Sequence, residues 1–380
     1  MSLSDTYTLY GSYASYYTAK VRAYLRKKSI PFVERLPSAP SFRETVRPAS
    51  GTHRIPQLMT PEGTVLQDSV AIVDYLEARY PDLPAFPESP RQRTFFHLME
   101  LLGSEGLVQL AWQHRWMFTQ NRRFVIQDFG RSFKPQGTDE ALEKYGNLIA
   151  DRMMSYGLPD STETVRRALD EQYLQLLQGF EAHLMVHPYL LGGHPSAADY
   201  AVMGALHAHL GRDPAGLRLM QDNAPRTFRW VEHMQVPEVQ SPEFYARPVE
   251  YPDDDQVPET AMNILSFIAG EYGQSLALGV LAFDQAMSAL NAVSGHRLDP
   301  DHDQPKLAKQ TVIYNGVAHD HAADLHGVWL AQRAQRFLQS QPPSVQRDVL
   351  DFFAQPVVET LLNAPFNFPI ARVNNRLILE

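Results

Sequence analysis

The chain has 380 residues and no cysteine, with 44% hydrophobic, 20% charged and 11% aromatic side chains. At roughly 100–200 residues per domain this length makes two or three folded units. The missing thiols exclude disulfides, cysteine-ligated zinc, iron–sulfur clusters and a cysteine nucleophile, and a formal charge of −9 argues against nucleic acid or an anionic membrane as a general partner.

The first ten residues, MSLSDTYTLY, have neither the basic region nor the apolar core of a signal peptide, so a cytoplasmic location is expected. The longest apolar stretch, Leu276 to Phe283, falls short of the ~20 residues that cross a bilayer, so no membrane span is expected. From Thr6 onward the first eighty residues read as strand, helix, strand, strand, strand, helix. Thr6 to Tyr10 is β-rich. From Tyr16 to Lys28, Val21, Tyr24 and Leu25 recur at helical spacing opposite Lys20, Arg22, Lys27 and Lys28, and Pro31 stops the helix. Phe32 to Leu36 is a short strand. Ile55 to Met59 and Thr64 to Leu66 form a hairpin around the Thr60-Pro61-Glu62-Gly63-Thr64 turn. An amphipathic helix over Ser69 to Arg79 closes the unit.

Tyr80 to Pro90 reads as a linker. Arg91 to Glu232 is mostly helical, with interruptions at Gly130 to Gly137 and Gly157 to Pro159. Val236 to Thr260 carries five prolines and the Asp253-Asp254-Asp255 run, and reads as a second linker or an extended arm. Helical periodicity returns in Asp324 to Leu338 and Ser344 to Leu362.

Three positions in the first unit can carry chemistry. Ser12 to Tyr17 lies between strand and helix, where a hydroxyl beside unpaired helix amides can donate to an anion; Ser15 equally suits an N-cap there. In Arg54-Ile55-Pro56-Gln57 a cis proline turns the backbone of Ile55 outward toward a peptide-like ligand, whereas a trans one makes an edge-strand turn. Asp68 and Ser69 open a helix, where amides and hydroxyl suit a carboxylate and the acid suits an ammonium; capping is the other use of both.

In this order and spacing the array resembles the glutathione S-transferase superfamily. LYGSYASYYTAKVRAYL is similar to its first strand and helix, HRIPQL to its proline loop, and LQDSVAIVDYLEARYP to its Asp/Glu-Ser helix. GGHPSAADYAVMGAL, with Ser196 and Asp199 as a Ser-x-x-Asp box, is similar to its buried helix start. The resemblance covers about residues 5–235. It implies an α/β thioredoxin-like domain (5–82) that binds glutathione and an all-helical domain (91–235). A helical carboxy-terminal extension (250–380) would pack on the helical domain and cover part of the cleft.

Carried over by position, the resemblance implies that Ile55 offers backbone hydrogen bonds to the cysteinyl part of glutathione with Pro56 cis. Asp68 and Ser69 would bind the γ-glutamyl ammonium and carboxylate, and His53 would lie near the glycyl end. The thiol-activating hydroxyl falls to Ser15, with Tyr10, Ser12, Tyr13 and Tyr16 as alternatives, since Tyr16 replaces the proline frequent after that serine. Lowering a thiol pKa of about 8.5 by about two units takes roughly 2.7 kcal/mol of preference for the thiolate. One hydrogen bond to a charged group supplies ~1.5–3 kcal/mol and a helix terminus ~0.3–1, so one hydroxyl suffices.

The implied activity is conjugation of glutathione, as co-substrate, to a small hydrophobic electrophile by a homodimer, without metal, nucleic acid or membrane. The competing expectation is a non-catalytic relative that binds a protein partner. Met99, Leu102, Gly106, Trp112, Trp116 and Phe118 are available for an electrophile site and read mainly as core. His319-Asp320-His321, with Asp324 and His326, has the residue types of a metal site, but on a helix the two histidines point apart and no metal is expected. Arg115, Arg122 and Arg123 read as a solvated helix face.

Overall fold

The β-rich residues near the amino terminus form the centre of a four-stranded sheet in the computed structural model, which describes residues 6–155, 162–298, 309–314, 317–322, 325–364 and 367–380. Strand β1 (Tyr7–Tyr10), helix α1 (Tyr16–Lys27) and strand β2 (Phe32–Arg35) make a parallel strand–helix–strand unit. A short helical stretch ending in α2 (Arg47–Ser50) leads to the hairpin β3 (Gln57–Met59) and β4 (Val65–Gln67), and then to α3 (Ser69–Arg79). The strand order β2-β1-β3-β4 is that of a thioredoxin-like domain. Leu9 and Leu58, paired across the sheet, face the main core, while Tyr10, Phe42, Val46 and Val65 form a separate small cluster.

The basic side of α1 is not solvated. Lys20, Arg22 and Lys27 are buried, with Lys20 paired to Glu100 at 2.7 Å and Arg22 to Glu34 at 2.6 Å. Buried cations need such partners, because an unpaired charge in the interior costs several kcal/mol.

Past the irregular residues 80–89, the second domain contains α4 (Pro90–Leu101), α5 (Val108–Trp116), α6 (Arg122–Phe133), α7 (Asp139–Ser155), α8 (Glu163–Leu184), α9 (Ala197–Met203), α10 (Pro214–Asn223) and α11 (Pro225–His233). The interruption expected over Gly130 to Gly137 falls at residues 134–138, between α6 and α7, and Gly130 itself lies within α6. A Cβ there would stand 2.2 Å from the Leu142 carbonyl oxygen, so glycine is what lets α6 and α7 touch. The Gly157 to Pro159 interruption lies outside the described residues. At the start of α9, the buried Asp199 carboxylate accepts from the amides of Ser196 and Leu190 and from the Ser196 hydroxyl, all within 2.9 Å.

The proline-rich stretch after α11 runs as an extended arm; the Gly193 amide donates to the Glu250 carbonyl on it. The extension then adds α12 (Glu259–Ile268), α13 (Gln274–Ala289), the hairpin β5 (Lys309–Tyr314) and β6 (Val317–Ala322), α14 (Leu325–Gln339), α15 (Pro343–Phe352), α16 (Pro356–Asn363) and the hairpin β7 (Ile370–Val373) and β8 (Arg376–Leu379). Two sequence expectations are corrected here. Ser344 to Leu362 is two helices, α15 ending at Phe352 and α16 opening on Pro356, whose missing amide suits a first helical position, and His319 to His321 lies on strand β6 rather than a helix. The helical run Glu259–Ala289, 31 residues, is long and apolar enough by length and composition to cross a membrane. More than half of its most apolar window is buried inside the protein, which accounts for that composition.

The extension shares the core of the other two units: Ile264, Leu265, Ile268, Val328 and Leu330 belong to the same buried cluster as Tyr7, Val73 and Leu98. Arg333 on α14 reaches Asp74 on α3 at 2.6 Å and Glu100 on α4 at 3.6 Å, tying it to both domains.

Candidate functional site

Sheet register brings the three predicted segments to one edge. Tyr10 at the end of β1 pairs with Gln57 at the start of β3, and Gln57 pairs with Gln67 at the end of β4. The loop to Ser15, the Ile55–Pro56 bond and the Asp68–Ser69 helix start therefore all leave the sheet on the same side.

Ser15 is the N-cap of α1. Its Oγ accepts from the Thr18 amide at 3.3 Å and from the Thr18 hydroxyl at 2.8 Å, which leaves its own hydrogen for a further partner. Thr18 can sit there because residue 11 is glycine: a Cβ on Gly11 would come within 2.2 Å of Thr18 Cγ2. Two buried guanidinium groups clamp the loop. Arg22 donates to the Ser12 carbonyl at 3.0 Å, and Arg115, from the helical domain, donates to the Ala14 carbonyl at 2.6 Å. Arg115 also pairs with Asp213 at 2.7 Å and donates to the Ala208 carbonyl. It is 3% exposed, so the solvated face expected for it is corrected: a carboxylate 98 residues away in sequence neutralises it.

The alternative hydroxyls are placed differently. Tyr10 is buried and donates to Ser41 Oγ at 2.9 Å within the small second cluster. Tyr16 donates to the Gly103 carbonyl at 3.3 Å and packs where a Cβ on Gly204 would stand 2.3 Å from its ring; burial pushes its phenol well above the usual tyrosine range. The Ser12 side chain is buried, and Tyr13 is exposed with the Arg22 guanidinium 4.1 Å from its ring centre.

The Ile55–Pro56 bond is cis. Gln57 shapes the loop before it by donating to the carbonyls of Thr52 at 2.9 Å and Arg54 at 2.8 Å. The ladder starts at Gln57, so Ile55, half-buried, lies outside it, and His53 is exposed on the same loop. Asp68 holds φ 91°, a left-handed conformation that costs a non-glycine residue on the order of 1–3 kcal/mol. Its Oδ1 caps α3 by accepting from the amides of Val70 at 2.8 Å and Ala71 at 3.3 Å, and Ser69 is buried beside it.

Sequence reasoning missed the residues around Asp68. His326, in the first turn of α14, lies between two carboxylates: its Nε2 is 3.0 Å from Asp68 Oδ2 and its Nδ1 is 3.0 Å from Glu105 Oε1. Tyr17 donates to the other oxygen of Glu105 at 2.9 Å. Burial alone would push the His326 imidazole down, but Asp68 and Glu105 outweigh it and raise it to about 10. Against the upward pull of its own burial, the charges of His326 and Arg372 hold the Asp68 carboxyl far below the usual carboxylate range. From the β7–β8 hairpin, Arg372 donates to the Gln67 carbonyl at 3.0 Å. Asn375 accepts from the Gln67 amide at 2.9 Å and donates to the Val65 carbonyl at 3.1 Å. His326 stood out in the sequence only as part of a metal-like cluster. Among the described residues no group of three or more histidine and acidic side chains could hold a metal ion, and Asp324 lies outside them.

For the electrophile, Met99 and Leu102 are fully buried and Gly106 packs on Tyr272, whereas Trp112, Trp116 and Phe118 are half-buried. A cavity of about 660 Å³ lies elsewhere, between the arm at Glu243 to Asp253 and Gly192–Gly193.

Residues 9–88 match the family model for the glutathione S-transferase N-terminal domain, and residues 146–235 match that for the C-terminal domain. The chain is 24% identical over 227 residues to a probable maleylacetoacetate isomerase of Caenorhabditis elegans, covering 58% of this chain and 95% of that protein. It is similar in fold to a glutathione S-transferase of Methylobacterium radiotolerans solved with glutathione sulfonate. That match is 18% identical, covers 67% of this chain and 100% of the other, and has a TM-score of 0.37. A glutathione transferase of Phanerochaete chrysosporium is also 18% identical, with 62% and 98% covered and a TM-score of 0.44. Matched in order, residues 9–88, which hold the sheet, and residues 146–235, which hold α8 to α11, are N-terminal and C-terminal domains of the glutathione S-transferase superfamily.

Proposed function

We propose that the chain is a glutathione transferase in which the Ser15 hydroxyl holds the glutathione thiolate and an electrophile is attacked by that sulfur. The observation that carries this reading is the hydrogen bonding of Ser15: its oxygen accepts twice from Thr18, so its hydrogen is the group available for a developing anion at the start of α1. Glutathione would lie along the sheet edge, its cysteinyl backbone against Ile55, its γ-glutamyl end against Asp68 and Ser69, and its glycyl end toward His53. The sulfur lone pair forms the new S–C bond while the electrophile expels a leaving group or takes up a proton, and no bond to the protein is made.

Retention on immobilised glutathione, followed by a conjugation assay on an aryl halide and an isomerisation assay on maleylacetoacetate, in which the sulfur adds and is then expelled again, tests the reading. The second substrate is the one in the name of the nematode relative. Absence of glutathione binding at millimolar concentration sinks it. A homodimer belongs to the same proposal, and light scattering of the purified chain checks it. One observation favours a second reading, a non-catalytic protein that keeps the fold to bind a protein partner: Asp68 is already paired with His326. Glutathione binding without turnover on either substrate supports that reading.

A further inference from the structure

Two parts of the extension that reach the sheet edge land on the segment that, in the reading above, receives the γ-glutamyl end of glutathione. Arg372 and Asn375 bond the backbone of Gln67, and the Asn375 side-chain amide pairs with Gln67 and Val65 much as the peptide of an added strand would. One residue further along, His326 sets an imidazole 3.0 Å from Asp68 Oδ2. Flanked by Glu105 as well, that imidazole is a cation, and Asp68 Oδ1 is engaged in capping α3. Asp68 in the free protein thus already holds one positive charge at the oxygen it has left to offer.

The cation is poorly placed on its own helix. It sits in the first turn of α14, where the aligned peptide dipoles present positive charge and repel a cation. The two carboxylates offset that repulsion, and the rings of Tyr17 and Trp329 pack against the imidazole. Seven residues on, Arg333 anchors the same helix to Asp74 and Glu100, so α14 can stay docked while His326 moves.

We propose that His326 is a built-in competitor of glutathione: it occupies Asp68 in the free protein, and the ammonium of the γ-glutamyl group binds by displacing it. The inference rests on the glutathione reading of Asp68 and Ser69. It makes His326 a specificity-determining residue that lowers affinity for any ligand bearing an ammonium at this position and leaves ligands lacking one unaffected.

The test is calorimetric titration of wild-type protein and His326→Ala with two probes, glutathione and the same tripeptide with the γ-glutamyl amine replaced by hydrogen. His326→Ala should bind glutathione at least about tenfold tighter, with the amine-free probe changed less than about twofold. A folded His326→Ala that binds glutathione no more tightly than wild type overturns the proposal. Should that variant not fold, His326→Gln, which keeps a neutral side chain of similar reach, decides by the same titration: glutathione binding no tighter than in the wild type overturns the proposal. If wild type binds glutathione and the variant gains nothing, only the competitor fails. If neither protein binds it at millimolar concentration, the glutathione reading fails with it.

Discussion

Arg115→Met removes the buried guanidinium that ties the Ser15 loop to the helical domain. Methionine keeps much of the side chain's apolar length, so the loss is mainly polar. Asp213, 1% exposed, is left as an unpaired carboxylate, and the carbonyls of Ala14 and Ala208 lose charged donors. Breaking a buried pair from one side costs about 3–5 kcal/mol, and each buried acceptor left unpaired costs ~1–3 kcal/mol. The terms overlap, so the expected total is roughly 4–6 kcal/mol, a large part of the ~5–15 kcal/mol that a folded protein has. Urea unfolding followed by circular dichroism measures it, with the double variant Arg115→Met/Asp213→Leu beside it. Removing the orphaned charge should return about half of the loss. A loss below about 1 kcal/mol for Arg115→Met, or a double variant as unstable as the single, would show that the clamp is not the support described.

Ser15→Ala should lower conjugation by roughly 10²-fold or more while leaving glutathione affinity nearly intact; if Tyr10→Phe has that effect instead, the hydroxyl is misassigned. Gly11→Ala drives a Cβ to within 2.2 Å of Thr18, so it should cost about 1–3 kcal/mol and reduce turnover with it, measured by urea midpoint and initial rate; an unchanged midpoint contradicts the packing. Asp199→Ala leaves the buried amides of Leu190 and Ser196 without their acceptor and should cost about 2–5 kcal/mol in the same assay. His326 titrates at about 10 when folded and near ~6.5 when unfolded, so its contribution to stability is fully present below pH ~6.5 and lost as pH rises to about 10. Buried Lys27, lowered to about 7, works in the opposite sense over the same window, so the test is the difference between proteins: relative to His326→Gln, the wild-type urea midpoint should fall from pH ~6.5 to about 10, and equal slopes refute the pairing.

The elements of the amino-terminal unit were legible because they are local. Strand alternation, Pro31, the Thr60–Thr64 turn and the Ser69 helix start are all signalled within a few residues, and the helix from Ser69 to Arg79 forms over the span expected. Ser196 and Asp199 were legible for the same reason. Charge pairing was not. Lys20 finds Glu100, 80 residues away, and His326 finds Glu105, 221 residues away. Nothing near Lys20, Arg22 or Arg115 announces its carboxylate, so buried cations read like surface ones. His326 was conspicuous only beside His319 and His321, which the chain places on a separate strand. Gly130 misled for a related reason: a residue that reads as a helix breaker in sequence can mark a close helix contact, and only the neighbouring helix distinguishes the two.

The most direct test of a hydroxyl-stabilised thiolate is the ionisation of glutathione while it is bound. Ultraviolet difference absorbance of the thiolate, followed against pH, should put the thiol on the wild-type protein about two units below its free value near 8.5. Ser15→Ala should return most of that shift. A bound thiol that titrates at its free value in the wild type, or a shift that survives in Ser15→Ala, contradicts the account.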